Sequence, residues 1–467
     1  MKQRPLWAYS GCELSAAYAS GSATATDAFE SVAEQIDRLN PALNAFATLD
    51  YAGAARSAAD STLRWKDGCA LGRLDGVPVS VKDNLYVRGL RATWGSALYE
   101  HFVPEVDDLP VSRLRAAGAV ILGKTNVPEF TVHGYTDNLL FGRTVNPWDV
   151  ALTPGGSSGG AVAAVAAGMG PIALATDGGG SIRRPASHTG LIGLKPSRDE
   201  VACGAGFPDI LSGLMVTGPI ARSVEDVVAV MQVIGRPQGV FSEHDDGPER
   251  FDGNGRRILL VIEPDAHPVD PEIREQVRHA ARTFRELGFA IEDGQLPIDL
   301  DEVADLFSTI SRSHLKALLD GFPGGSERIG PANKALVDSA EVGGPSLAAA
   351  LARRDAIAGS VTRLLGEYDF VMTPSAAAMP WEAGTVYPAT IDGRNVGPRG
   401  HAIFTGFVNM TGCPAVNLPA RASRSGMPIG FQLIGPMGSD AVLCRLGQAY
   451  LERGGLSWSW PKRVATP

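Results

Sequence analysis

The chain has 467 residues, 44% hydrophobic and 20% charged, with a net charge of −9. That balance is ordinary for a globular protein with a large core, and length alone suggests roughly two or three domains. The acidic charge, with no basic run or aromatic-interleaved basic stripe, argues against a nucleic acid partner.

In chain order, residues 24–65 have alanine-rich amphipathic spacing and read as helical. Gly76-Val-Pro-Val-Ser-Val-Lys82 reads as a turn followed by a short apolar strand. A helical pattern from Val111 to Ala117 ends at Gly118 and leads into the strand-like Ala119–Leu122. Thr153-Pro-Gly-Gly-Ser-Ser-Gly-Gly160 is a glycine-rich loop opening the helix Ala161–Ala167. Pro171–Ala175 then reads as a buried strand that runs into Thr176-Asp-Gly-Gly-Gly-Ser-Ile-Arg183. The polar stretch Pro237–Arg257 reads as a surface loop and Ile258–Ile262 as a strand. Pro271–Leu287 is a charged amphipathic helix, and residues 300–366 read as helical with breaks near Gly321 and Gly344. Strands return at Phe370–Thr373, Ala415–Leu418 and Ile429–Ile434. The alternation implies a layered α/β fold, and strands from both ends joining one sheet favour one large domain, 1–467, over several.

Cys12, Cys69, Cys203, Cys413 and Cys444 are scattered, odd in number and form no CxxC, and no Cys/His cluster has zinc spacing. Neither a metal nor another cofactor is expected, and reduced thiols in a cytoplasmic enzyme are the simple reading. The N-terminus has no apolar run and is interrupted by Glu13, so no signal peptide is expected. The most apolar segment, Ala161–Ala175, is too short to span a bilayer, and no membrane role is expected.

Two glycine-rich serine loops stand close in sequence, with a lysine upstream on an apolar strand. The first carries Ser157 and Ser158, and the second carries Ser181 after Gly178, Gly179 and Gly180. Glycines let backbone approach a ligand and present consecutive N–H groups, which can hold a developing oxyanion. Either loop alone could be a plain turn; the two together, set between strands and helices, point to acyl transfer. Lys82 follows Val79 and Val81. A lysine at a solvated strand end would be ordinary, but flanking valines imply burial. Burial disfavours the ammonium and frees a neutral amine to act as a base for a serine hydroxyl.

These runs, with Gly190-Leu-Ile-Gly-Leu-Lys-Pro196, closely resemble the amidase signature. Gly76–Asn84, Gly123–Phe130, Asn146-Pro-Trp148, Asn409–Pro414 and Pro428–Leu433 support the likeness, which runs from about residue 25 to about residue 455. The resemblance implies a single α/β/α domain around a large mixed, twisted sheet. Its signature core would cover about residues 70–200, with a helical variable region over about 237–366. It assigns Ser181 as nucleophile, Ser157 as a bridging serine after a cis peptide at Gly156, and Lys82 as base. Gly178, Gly179 and Gly180, with Ser181, match the oxyanion loop. Asp177 and Arg183 match a bracing ion pair, and Ser158 and Thr176 supporting hydrogen-bond roles. Trp94, His133, Thr136, Asp137, Phe207, Ile210 and Trp381 are candidate pocket residues, although aromatics of this kind more often serve core packing. The likeness also allows a homodimer.

Two pattern matches are set aside on physical grounds. Gly118-Ala-Val-Ile-Leu-Gly-Lys-Thr125 fits a phosphate loop, but its variable positions read as a strand and Pro128 follows where a helix should start. Gly155-Gly-Ser-Ser-Gly159 fits the nucleophile elbow of α/β-hydrolases, with Ser157 attacking and His401 as a later partner; that leaves Lys82 and the second loop unexplained. His133 and His188 read as structural or pocket-lining rather than catalytic.

Three functions follow. The first is a stand-alone amidase acting on a small or aryl amide, with esters or carbamates open to the same chemistry. The second is the glutaminase subunit of a glutamine-dependent tRNA amidotransferase, which shares the signature. Arg184 where that branch has glutamine, and no tyrosine between Tyr135 and Tyr368, count against it. The third is a non-catalytic binding module on the same scaffold.

Overall fold

The computed structural model describes residues 4–241, 253–264, 267–338 and 346–465. The helical stretch expected over residues 24–65 is two helices, Ala25–Leu43 and Tyr51–Lys66, with strand β1 (Phe46–Leu49) between them. The cause is local. Asn44 caps the first helix at φ +50°, a left-handed conformation that asparagine tolerates, and turns the chain onto a sheet edge. That helix starts with a capping box: Thr24 Oγ1 accepts from the Asp27 N–H (3.1 Å), and the Asp27 carboxylate accepts from the Thr24 N–H (2.9 Å). Its buried face carries Ala28, Val32, Ile36, Leu39 and Leu43 at helical spacing.

The other strands are β2 (Pro78–Lys82), β3 (Val120–Thr125), β4 (Ile172–Asp177), β5 (Ile192–Lys195), β6 (Val216–Ala221), β7 (Arg257–Leu260), β8 (Ala290–Asp293), β9 (Phe370–Pro374), β10 (Thr390–Ile391), β11 (Arg394–Asn395), β12 (Ala415–Pro419) and β13 (Gly430–Ile434). β10 and β11 form a small hairpin, and the remaining eleven strands make one mixed sheet ordered β1-β3-β2-β4-β6-β5-β12-β13-β9-β7-β8. Strands from both ends of the chain therefore share a sheet. Helices Leu300–Asp320, Pro331–Asp338 and Leu347–Glu367 occupy the stretch read as helical, and the first ends at Gly321. The break near Gly344 and most of the 237–257 loop lie outside the described residues. Among the described residues, no helix is long and apolar enough to cross a membrane.

Register between the third and fourth strands of the sheet places the site. β2 and β4 pair in parallel, Val79 beside Ile172 and Val81 beside Leu174. Both strands are buried along their whole length, as parallel strands covered on both faces require. They end at the same edge of the sheet, so the segments after them, Asp83-Asn84 and Gly178–Ser181, emerge side by side. The crevice outside the carboxyl ends of parallel strands is where open α/β sheets bind ligands. Helix Gly159–Ala166 packs against β4 and is buried at every position, which its run of Gly, Ala and Val permits.

Candidate active site

Lys82 ends β2 and is completely buried. Its Nζ lies 2.9 Å from Ser157 Oγ, 3.0 Å from Thr176 O and 2.9 Å from Thr176 Oγ1. Burial pushes its pKa down from 10.5 to about 7; Asp177 opposes the shift and Arg184 adds to it. Two amine hydrogens can go to Thr176. A neutral amine then turns its lone pair to the Ser157 hydroxyl.

Ser157 follows a cis peptide at Gly156–Ser157. Residue 156 must be glycine, because a Cβ there would meet Tyr135 O at 2.5 Å and His133 O at 2.9 Å. The two serine loops are tied directly, since the Ser158 N–H donates to Ser181 O (3.3 Å) and Ser158 Oγ to Thr176 O (3.4 Å). Ser157 and Ser181 both line a narrow cavity of about 20 Å³, room for about one small group. The two hydroxyls are not hydrogen-bonded to each other in this structure. Links of this kind are often long in unliganded sites and tighten when substrate enters.

Asp177 braces the second loop. Its carboxylate accepts from Arg183 Nε and Nη2 (both 3.0 Å), the Gly180 N–H (2.6 Å), the Ile182 N–H (3.1 Å) and Asn409 Nδ2 (3.0 Å). Burial alone would raise its pKa, but the Arg183 charge and these donors hold it well below the usual carboxylate range. Arg183 also donates to Gln432 Oε1 and Asn409 Oδ1, so this buried ion pair has its polar atoms well matched. One expectation changes. The Gly180 N–H is spent on Asp177, so it cannot serve an oxyanion, and Gly178, Gly179 and Ser181 carry the amides still open to a substrate oxygen.

Of the candidate pocket residues, only His133 lines the cavities at Ser181. It lies 2.7 Å from Asn333 Oδ1, and burial pulls its pKa down to about 4, against that hydrogen bond. Trp94 and Phe207 stack at 4.7 Å within an aromatic cluster with Tyr99 and Phe130, so their area goes to packing. Ile210 belongs to the same core. Thr136 instead holds the first serine loop, donating to Gly155 O (2.9 Å). Asp137 pairs with Arg143 at the surface (3.2 Å). Trp381 packs against His188 and His401 and donates its indole N–H to Thr385 O. Residues not singled out from sequence, Phe307 and Arg399, line the cavities instead, joined by Arg184. Asn84 Nδ2 donates to Thr176 Oγ1 (3.0 Å), a second support for the Lys82 partner.

The competing patterns fare as expected. Lys124 of the phosphate-loop match lies in β3, buried against Asp83 (3.2 Å). Ser157 has a lysine as its basic partner, while the His401 ring, packed on Trp381, has no hydrogen bond to Ser157.

An open α/β sheet that carries two serine loops and a buried lysine at the ends of neighbouring inner strands has the arrangement of a serine hydrolase. The chain belongs to the Amidase family, whose model matches residues 27–444. It is 33% identical over 501 aligned positions to the A-type subunit of glutamyl-tRNA(Gln) amidotransferase from Synechococcus sp. (strain CC9605), covering 96% of this chain and 97% of the relative. Among solved structures it resembles a bacterial aryl acylamidase of the amidase signature enzymes, with TM-score 0.89, 26% identity and 99% and 100% coverage. It also resembles 6-aminohexanoate cyclic dimer hydrolase in complex with substrate, with TM-score 0.85, 27% identity and the same coverages.

Proposed function

We propose that the chain hydrolyses the C–N bond of a small or aryl amide through an acyl-enzyme on Ser181, with Ser157 as proton relay and Lys82 as base. The observation that carries this is the buried Lys82 amine, with a pKa near 7, 2.9 Å from Ser157 Oγ. Neutral Lys82 takes a proton from Ser157 as Ser157 takes one from Ser181, and Ser181 Oγ bonds to the carbonyl carbon. The oxyanion rests on the amides of Gly178, Gly179 and Ser181. The relay then runs backward, protonating the leaving nitrogen as the C–N bond breaks. A water enters by the same relay and releases the acid. Esters and carbamates would follow the same course. Labelling with a fluorophosphonate is expected at Ser181 and is expected to vanish in Ser181→Ala. Labelling at Ser157, or none, would overturn the assignment.

A second setting of the same chemistry is better supported by the sequence relatives than a stand-alone enzyme. The match to the A-type chain of an amidotransferase extends over nearly the whole of both chains. In that setting the substrate is glutamine and the chain works with protein partners. Arg184 and the tyrosine-free stretch from 136 to 367 pull the other way. Purification of the native chain decides: stable co-purification with partner proteins, together with glutaminase activity, favours the amidotransferase setting, and a free chain active on simple amides favours the amidase.

A further inference from the structure

The narrow cavity at Ser181 adjoins a larger one of about 450 Å³, and the two share Val132, His133, Arg184, Phe307 and Arg399 as walls. That volume suits a small-molecule ligand. Its polar wall has one sign of charge. Arg184 and Arg399 carry that charge; His133 and His401 also face it, with burial pulling both imidazoles below their ordinary pKa, and no aspartate or glutamate lines either cavity among the described residues. Neither arginine has a carboxylate partner. Arg184 is 5% exposed, and its guanidinium spends its bonds on neutral oxygens: Gly179 O (2.7 Å), Thr405 Oγ1 (3.2 Å) and Gly156 O (3.4 Å). Its Nε is buried without an acceptor. Arg399 lies over the Phe307 ring, 3.9 Å from its centroid. Asp177, the carboxylate whose charge acts on Arg184, is already held bidentate by Arg183.

Two guanidinium groups without a carboxylate partner stand beside the reacting serine, Arg184 buried and Arg399 half-buried, and holding the charge of Arg184 in that setting is costly unless something binds there. A planar anion satisfies both, since guanidinium donors match a carboxylate fork. An ammonium finds no counter-charge on this wall. We propose that the larger cavity is a carboxylate-binding subsite in which Arg399 and Arg184 receive an acidic group of the substrate, so that the preferred substrates are amides bearing a carboxylate and no ammonium. This rests on the reading of Ser181 as nucleophile and names the substrate class of that site. It separates glutamine, which carries both charges, from an amide that carries the acid alone.

The test uses the full chain with four matched primary amides: pentanamide (neutral), glutaramate (carboxylate), 5-aminopentanamide (ammonium) and L-glutamine (both). The kcat/KM of glutaramate is expected to exceed that of pentanamide by about tenfold or more, with 5-aminopentanamide lowest. In Arg399→Gln the glutaramate-to-pentanamide ratio is expected to fall toward one. Equal rates for neutral and anionic amides, or an ammonium preference, overturn the subsite while leaving Ser181 hydrolysis standing. Calorimetry on Ser181→Ala gives a readout independent of turnover. There glutaramate should bind more tightly than pentanamide, and less tightly once Arg399→Gln is added. If no amide is turned over, this binding arm decides: selective glutaramate binding sustains the subsite, and equal or absent binding overturns it.

Discussion

Replacing Lys82 with methionine separates the cost of this site from its use. The folded chain holds Lys82 at a pKa of about 7 against an ordinary 10.5, mainly through burial. That gap corresponds to about 5 kcal/mol between the two protonation states. Between pH 7 and 10.5 the unfolded chain binds a proton at this residue that the folded chain does not. Wild-type stability therefore rises with pH across this window, by about 1.4 kcal/mol per unit from this group alone, and below pH 7 the full deficit is present. The methionine variant lacks the slope. It also loses the Nζ contacts to Ser157 and Thr176, worth about 1 kcal/mol each, and leaves those oxygens short of a donor, although Thr176 Oγ1 keeps Asn84. The terms nearly offset at pH 7, where the variant should lie within about 2 kcal/mol of wild type. Urea unfolding of both proteins at fixed pH values from 6 to 10 measures the difference. It should swing toward wild type as pH rises, while turnover of the variant is lower by about 10² to 10⁴. Wild-type kcat/KM should rise with pH through a midpoint near 7, as the amine loses its proton. A stability difference that stays flat from pH 7 to 10, or a rate with no limb near 7, would refute the buried neutral base.

Asp177→Asn should cost about 3–5 kcal/mol, read as a lower urea midpoint, because it strands Arg183 in the core without its carboxylate. A loss below about 1 kcal/mol would mean that Asn409 and Gln432 suffice to hold Arg183. With glutaramate as substrate, the acid limb of kcat should lie at higher pH than that of kcat/KM, because a carboxylate on Arg184 offsets the charge that depresses Lys82. Pentanamide should show no such separation. Coincident limbs for both substrates would place the bound anion away from Arg184.

The parts of the site that could be read from the sequence are those in which local chemistry and fold coincide. Consecutive glycines before Ser157 and Ser181 announce exposed amides whatever surrounds them, and Val79 and Val81 announce that Lys82 goes inward. The spacing of apolar residues likewise marks most strands of the sheet. Other features depend on partners distant in the chain. β1 hides between two helical patterns because one residue, Asn44, decides the break. β6 carries Gly218 and Pro219, which obscure a strand pattern, yet it pairs along its length with β4. Trp94 and Phe207 have the size for a pocket and for a core, and only three-dimensional packing chooses between them. Arg399 and Phe307 come from the C-terminal half and carry no motif. The engagement of the Gly180 amide depends on which way the Asp177 carboxylate turns, which spacing does not encode.

Arg184 ties these pieces into one electrostatic argument. Its guanidinium bonds the carbonyls of Gly179 and Gly156, so it braces both serine loops at once. Its charge also lowers the proton affinity of Lys82. A carboxylate would brace the loops as well, and would satisfy the arginine. As a permanent partner it would also keep a negative charge near Lys82 in every state of the site, raising its pKa and lowering the share of neutral amine before substrate arrives. Neutral carbonyl partners avoid this. They hold the loops while keeping the local field positive, which burial then reinforces. The same arrangement leaves a cationic wall facing the larger cavity. The acid-free lining there and the neutral amine at Lys82 are thus two consequences of one choice of partners for Arg184.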